Sequence, residues 1–233
     1  MAEDGDRKYK LITENREIKD NSRGCTGKAT AFYTNGDQYE GDFLDGIRQG
    51  RGIYRYESNG DKYEGDWEDN RKHGIGKMTY KGRGEYHGYW ENNRRHGEGV
   101  FTYPNGDVYS GWWRFGEKEG KGTYIFKENG MKMFGDWQYG EIKRGRWVYP
   151  NGLYFEGEFR NNKPFGVGTW YFKNGNKLEG SYEQKPKEAG DGDEDEQPED
   201  DEAGGIAKPK FDLLWHSQAQ IAEAALQVNS VEQ

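Results

Sequence analysis

The sequence predicts an all-β repeat protein, an elongated single-layer antiparallel meander of stacked β-hairpins. Three observations predict it: a glycine that recurs every 22 to 24 residues, Asn-Gly pairs between strand-like runs, and aromatic residues that alternate with polar ones inside those runs. Self-similarity at this period is typical of repeat proteins, in which one unit can bury its apolar face only against its neighbours.

The repeated phrase begins with an aromatic residue, any residue, glycine, a small or acidic residue and a second aromatic. Tyr63-Glu64-Gly65-Asp66-Trp67 is one example. The first glycines of the successive phrases are Gly41, Gly65, Gly88, Gly111, Gly135, Gly157 and Gly180. Because the spacing hardly changes, the phrase is a structural unit and predicts seven repeats, the last of which stops after Tyr182.

Each period contains two turn signals. Asn-Gly pairs such as Asn35-Gly36 favour a type I′ turn, in which both central residues need φ > 0, and longer polar turns such as residues 91–97 occupy the other end. Two turns predict two strands per period, thus about thirteen strands in all. An open sheet of that size is expected to curl, so we expect a twisted trough with its Trp and Tyr residues on the concave side.

The composition does not favour an ordinary globular domain. Only 31% of the residues are hydrophobic, against 33% charged, and there are 36 glycines, while aromatics alone make up 15%. These values favour a thin body packed by rings. The single cysteine, Cys25, excludes an internal disulfide, and the first seven residues lack an apolar segment, so we expect a reducing compartment, the cytoplasm or cytoskeleton.

The net charge of −8 is concentrated at one end of the chain. Residues 24–185 carry 25 Lys and Arg against 23 Asp and Glu, whereas residues 186–233 carry 3 against 13. The predicted organisation is therefore a leader over 1–23 with room for one short strand, the repeat array over 24–184, an acidic disordered linker over 185–210, an amphipathic helix over 211–228 and a tail over 229–233.

The predicted helix follows from apolar residues that recur at intervals of three and four after a proline. It is interpreted as a docking helix, placed in cis on the array or in trans on another subunit. Its docking residues are Phe211, Leu214, Trp215, Ile221 and Leu226.

The phrase, with Arg-x-His-Gly-x-Gly and Asn-Gly-Asp, resembles the MORN (membrane occupation and recognition nexus) repeat over about 160 of the 233 residues. Two units depart from it: Lys143-Arg144-Gly145 replaces Gly-x-Gly in the fifth, where the array could kink, and the seventh is truncated. The order of array, acidic run, Lys-Pro-Lys and Trp-containing segment resembles the radial spoke head protein 1 family of ciliary axonemes.

That resemblance implies a non-enzymatic scaffold subunit of the radial spoke head, located in the cilium or flagellum and supporting motility. It implies other spoke head subunits, with central-apparatus projections, as partners; self-association is left open. We expect partners to bind an aromatic groove whose residues are Tyr63, Trp67, Tyr86, Trp90, Tyr109, Trp113, Trp137 and Trp170.

Other functional classes are disfavoured. No catalytic arrangement stands apart from the repeat, so we expect no enzyme, no catalytic residue and no cofactor. His73 and His96 are one repeat apart, but no metal-binding partner recurs with them, so no metal site is expected. Gly74-Ile75-Gly76 superficially resembles a phosphate-binding loop, but a strand and not a helix follows it, so nucleotide binding is not expected. No nucleic-acid partner is expected. Anionic membrane lipid is the alternative partner, through a stripe of basic turns such as Arg94-Arg95.

Overall fold

The computed structural model describes residues 7–186 and 211–218, which contain 17 strands and no α-helix. The all-β antiparallel meander predicted from the repeats is confirmed. The chain divides into two compact units, Met1–Asn105 with Ser110–Glu117, and Gly106–Tyr109 with Lys118–Gln233. No helix in the described part of the chain is long and apolar enough to cross a bilayer.

The first unit contains β1 (Lys10–Thr13), β2 (Ile18–Lys19), β3 (Gly27–Phe32), β4 (Gln38–Leu44), β5 (Ile47–Arg55), β6 (Lys62–Glu68), β7 (Arg71–Tyr80), β8 (Gly84–Glu91), β9 (Arg94–Thr102) and most of β10 (Val108–Arg114). From β3 to β9 each strand pairs antiparallel with the next. The predicted leader is not separate from this sheet, because β1 pairs with both β2 and β3 and buries Leu11 completely.

The second unit contains nearly all of β11 (Glu117–Ile125) and then β12 (Lys132–Gln138), β13 (Glu141–Val148), β14 (Tyr154–Arg160), β15 (Lys163–Tyr171), β16 (Lys177–Pro186) and β17 (Phe211–Ser217). These strands also pair antiparallel in sequence order. The predicted linker lies almost entirely outside the described residues.

The repeat period sets the strand register. In the first unit a row of glycines faces glycine across successive strands, at Gly41, Gly52, Gly65, Gly76, Gly88 and Gly99. The second unit has the same row at Gly122, Gly135, Gly145, Gly157, Gly168 and Gly180. The irregular fifth repeat therefore keeps its glycine in the row.

The two kinds of turn are the reverse of the predicted ones. Asn92 and Asn93 have φ of 48° and 69°, so this end of the repeat has the tight type I′ turn. At the Asn35-Gly36 turn only Gly36 has a positive φ, 89°. The Gly36 N–H donates to the Tyr33 carbonyl at 3.0 Å, and the Tyr33 N–H donates to the Asp37 carbonyl at 2.9 Å. Residues 34–36 therefore form a three-residue loop. The Asn-Gly pair correctly predicted a hairpin, but in this turn only the glycine adopts the left-handed conformation.

Buried aspartates join consecutive hairpin turns at this end of the repeats. The Asp37 carboxylate accepts hydrogen bonds from the Tyr54 hydroxyl at 2.8 Å and from the Glu57 N–H at 2.9 Å, 20 residues further on. Asp61 and Asp107 accept the corresponding N–H groups of Lys81 and Lys127 at 3.0 and 2.8 Å. The aspartate after each of these Asn-Gly pairs thus links one repeat to the next.

The helix predicted from residue 211 is wrong over the described part, because Phe211–Ser217 is strand β17. Phe211, Leu213 and Trp215 alternate with more exposed residues, and a period of two suits a strand as well as the three-and-four spacing suits a helix. Pairing with β16 decides between them: Tyr182 lies opposite Trp215, with ring centroids 4.9 Å apart. The strand at Tyr182 is therefore not an unpaired edge. Ile221 and Leu226 lie outside the described residues.

Candidate partner-binding surfaces

The aromatic residues predicted to form a groove are almost all buried. Tyr63, Tyr86 and Tyr109 are completely buried, Trp67, Trp90, Trp113 and Trp137 keep 2–4% of their surface exposed, and Trp170 is half-buried. They lie on one face of the strands and pack edge to face, with Tyr63 5.3 Å from both Trp67 and Trp90. These rings form the core of the array, and their role in binding partners stays a prediction.

Each core tyrosine depends on a glycine of the next strand. A Cβ at Gly76 would overlap the Tyr63 ring, and one at Gly99 would overlap the Tyr86 ring. The Tyr63 hydroxyl donates a hydrogen bond to the Asp66 carbonyl of the same strand at 2.9 Å. Burial raises the pKa of Tyr63 and of Tyr86 above the ordinary value, so both hydroxyls remain protonated donors at neutral pH.

Each core tryptophan is held by a backbone carbonyl. The indole N–H groups of Trp67, Trp90, Trp113 and Trp137 donate to Gly52, Gly76, Gly99 and Gly122 at 3.3, 3.1, 3.2 and 3.1 Å. Trp170 differs, because its N–H donates to the Tyr182 hydroxyl at 3.2 Å. The indole N–H groups of these five tryptophans therefore have hydrogen-bond partners within the array.

A cation covers each of these four indoles. Arg48, Lys72, Arg95 and Lys118 lie 4.6, 4.9, 4.4 and 5.4 Å from the rings of Trp67, Trp90, Trp113 and Trp137. This distance is in the range of cation–π contacts. Burial lowers the pKa of Lys72 to about 8. Several cations of the predicted basic stripe thus pack onto the core.

Each histidine at these polar turns lies beside a glutamate. His73 lies 3.3 Å from Glu68, and His96 lies 3.3 Å from Glu91. Within the described residues no group of three or more metal-binding side chains comes together. The geometry assigns these histidines a local structural role.

The opposite face of the first unit carries a cavity of about 640 Å³, which we call the glycine groove. Gly41, Gly52, Gly65 and Gly76 line its floor. One wall consists of Thr30, Glu40, Ile53, Glu64, Lys77 and His87, which face one another in that order across β3 to β8. The other wall includes Asp42, Arg51 and Ile75. Each strand at the floor is already paired on both sides. A peptide segment in the groove would therefore contact side chains and could not join the sheet as an additional strand.

The groove combines apolar contacts with charges that are already balanced. Ile12, Ile53 and Ile75 are among its apolar side chains, and Ile75 is 45% exposed. Arg51 pairs with Asp66 at 3.2 Å, Glu64 with Lys62 at 2.7 Å and Lys77 with Glu85 at 2.8 Å. Six strands about 4.8 Å apart span about 24 Å, the length of about seven residues of extended chain. The shape and chemistry fit an extended peptide of mixed charge.

Sequence reasoning missed this surface, although the signal was available. Residues that alternate with the core rings, such as Ile53 between Gly52 and Tyr54, must point to the other face of the sheet. The predicted aromatic groove lies on the ring-bearing face, which is packed as the core, whereas the glycine groove lies on the opposite face.

Comparison with known proteins agrees with the repeat architecture. Five segments match the model of the MORN repeat, at residues 39–60, 63–84, 86–108, 109–131 and 155–177. The interval between the fourth and fifth contains the irregular unit with Gly145. No curated protein matches the chain.

Two solved structures are similar to part of the chain. One is the SAS-4 (dCPAP) TCP domain of Drosophila melanogaster in complex with a proline-rich motif of Ana2 (dSTIL), at 21% identity and a TM-score of 0.42, covering 66% of this chain and 83% of that one. The other is the TCP10c domain of Drosophila melanogaster Sas-4, at 21% identity and a TM-score of 0.37, covering 65% and 90%.

The fold and the glycine register define a repeat protein of stacked antiparallel hairpins, a class whose members present extended binding surfaces. Five of its units are detected as MORN repeats.

Proposed function

We propose that this protein is a non-enzymatic scaffold that holds an extended segment of a partner protein in the glycine groove. The observation that carries the proposal is the groove itself: an open cavity of about 640 Å³ on the face opposite the ring core, with Ile53, Ile75 and paired charges on its walls. The aromatic rings pack as the core on one face of the sheet. The opposite face, which carries the glycine groove, is available for contact.

The partner that we propose is a subunit of a ciliary axonemal complex, the radial spoke head. Support comes from the order of segments along the chain, a MORN array followed by an acidic run and a Trp-containing segment. In this proposal the protein is located in the axoneme, positions neighbouring head subunits and supports motility.

The test is affinity purification from a ciliated cell extract with the full-length chain and with Ile53→Arg/Ile75→Arg, followed by mass spectrometry. We expect axonemal subunits with the wild type and at least tenfold less with the double variant. Lys81→Glu, at the Asn-Gly end of the same unit, is the matched control and should retain them. Equal recovery by the groove variant would refute the groove; recovery without axonemal subunits would refute the spoke assignment.

Association with anionic membranes is less well supported, because Arg48, Lys72 and Arg95 cover indole rings. Flotation with liposomes containing phosphatidylserine, at low and high salt, separates the two functions. Salt-sensitive flotation would favour the membrane scaffold.

A further inference from the structure

The aspartates that join consecutive hairpin turns are matched by a donor in the next turn. Each of the three accepts the N–H of the first loop residue about one repeat further on, at 2.8–3.0 Å. Two other turns have no aspartate, and there the donor position holds a proline, which has no N–H. These two pairs are Gly84 with Pro104 and Met131 with Pro150. Acceptor and donor are thus present together or absent together in five turns.

The turn at residues 149–153 breaks this pattern. Leu153 stands at the aspartate position, but the donor position holds Lys173, which has an N–H. The backbone of the turn is unchanged, because the Tyr149 N–H donates to the Leu153 carbonyl at 2.8 Å, as the Tyr33 N–H does to the Asp37 carbonyl at 2.9 Å. In the described part of the chain the Lys173 N–H has no acceptor. The turn therefore keeps its geometry and its donor and lacks the carboxylate.

A second amide and a cavity lie at the same place. The Asn35 side-chain amide donates to the Asp37 carboxylate at 2.9 Å. Its counterpart Asn151 bonds, within the described residues, only through Oδ1, which accepts the Leu153 N–H at 3.0 Å. A cavity of about 350 Å³ is lined by Asn151, Leu153, Phe172, Lys173 and Asn174. None of these residues is acidic, so the site combines amide groups and one ammonium group without a carboxylate.

We propose that this cavity binds a carboxylate, the side chain of an aspartate or glutamate of a partner protein, in the place that a linking aspartate fills in three other turns. A carboxylate accepts charge-assisted hydrogen bonds from backbone N–H groups, and the Lys173 ammonium group favours a negative ligand. Asn151, Lys173 and Asn174 are exposed, so the site is open to a side chain that comes from outside. It lies in the second unit and does not depend on the glycine groove.

Amide NMR of the isotope-labelled full-length protein tests the site with a defined probe, N-acetyl-L-aspartate N-methylamide. The probe should move the Lys173 amide proton downfield and saturably, at least about fivefold further than the Lys127 amide proton, whose N–H already donates to Asp107 at 2.8 Å. N-acetyl-L-asparagine N-methylamide is the matched neutral probe and should leave Lys173 in place. Equal shifts with the two probes, or no shift at Lys173, would overturn the proposal.

Leu153→Asp tests the same site by filling it from within the chain. The new carboxylate should accept the Lys173 N–H as Asp107 accepts that of Lys127. The Lys173 amide should then resonate downfield without a probe, exchange with solvent at least about tenfold more slowly, and no longer respond to the aspartate probe. Leu153→Met, the residue found at position 131, is the control and should respond as the wild type does. An undiminished response of Leu153→Asp would place the ligand elsewhere and refute the site.

Discussion

Tyr139 shows how a turn position constrains a residue. It is the first central residue of the turn between β12 and β13, with φ of 52°, and its side chain is 72% exposed. A bulky residue in the left-handed region is strained, whereas asparagine tolerates it. At this kind of position Asp45, Asp69, Asn92 and Asn161 occur in four of the other turns, and Phe115 occurs in one.

We therefore predict that Tyr139→Asn stabilises the protein by about 0.5–1 kcal/mol. Chemical denaturation with an unchanged m-value is the measurement. Tyr139→Ala is the control: it removes the same exposed ring but remains strained, so it should give no comparable gain. Equal effects of the two variants would attribute the change to the ring and not to the backbone.

The amino group of Lys72 packs against the aromatic core. Its Nζ lies 4.9 Å from the Trp90 ring and 3.3 Å from the Tyr56 hydroxyl, and burial lowers its pKa to about 8. A lysine whose pKa is lower in the folded state is more easily charged in the unfolded state. Between pH 8 and the unfolded pKa near 10.4 the unfolded chain binds more protons, so stability rises with pH.

The prediction is that wild-type stability increases relative to Lys72→Met between pH 7 and 9.5, by up to about 2 kcal/mol. Cation–π attraction to Trp90 favours the charged form of Lys72 and reduces the expected change in stability. Denaturation midpoints at several pH values check it, with Lys81→Met as the control for the substitution itself. Parallel pH profiles for the wild type and Lys72→Met would contradict the expectation.

At the scale of elements, β17 completes the truncated seventh repeat. Trp215 lies over Gly180, where a Cβ would come 2.5 Å from its ring, much as Tyr63 lies over Gly76. The register is that of a normal hairpin, although residues 187–210 separate the two strands. A strand that buries an aromatic ring over the last glycine of the row protects the end of the sheet.

Trp215→Ala should therefore destabilise β16 by about 2 kcal/mol, which is less than the cost for a fully buried ring. Hydrogen exchange should show faster exchange at Glu179–Glu183, whereas β11 and β12 keep their protection. Leu214→Ala, on the more exposed face of the same strand, is the matched control and should change little. Unchanged exchange in β16 with Trp215→Ala would mean that β17 does not protect it.

The elements also show what the sequence could and could not predict. The period and the Asn-Gly pairs predicted the hairpins because backbone requirements at turns are local. The nature of β17 was missed because its few apolar residues fit either period, and its partner, β16, is supplied from a distant part of the chain. The burial of the rings follows from their size, whereas their predicted role in binding partners stays a prediction.

At the scale of the whole molecule, stability is expected to be local. Within each described unit every strand from β3 to β9, and from β11 to β17, contacts mainly its sequence neighbours. Such an array behaves as a series of coupled repeats, and damage to one repeat weakens its neighbours more than distant ones. The glycine rows are suited to test this because a Cβ at Gly76 or at Gly168 would overlap a core ring.

Gly76→Val should disrupt the repeat around it, since a side chain at this position overlaps the Tyr63 ring. We expect a loss of hydrogen-exchange protection over Lys62–Thr102, which comprises β6 to β9, while β14 to β16 keep theirs. The matched variant is Gly168→Val, which overlaps the Phe155 ring and should expose β14 to β16 and spare β6 to β9. Two reciprocal patterns establish repeat-by-repeat stability. If either substitution removed protection from both units together, the chain would instead unfold as one cooperative body, and the contacts between neighbouring strands would not account for its stability.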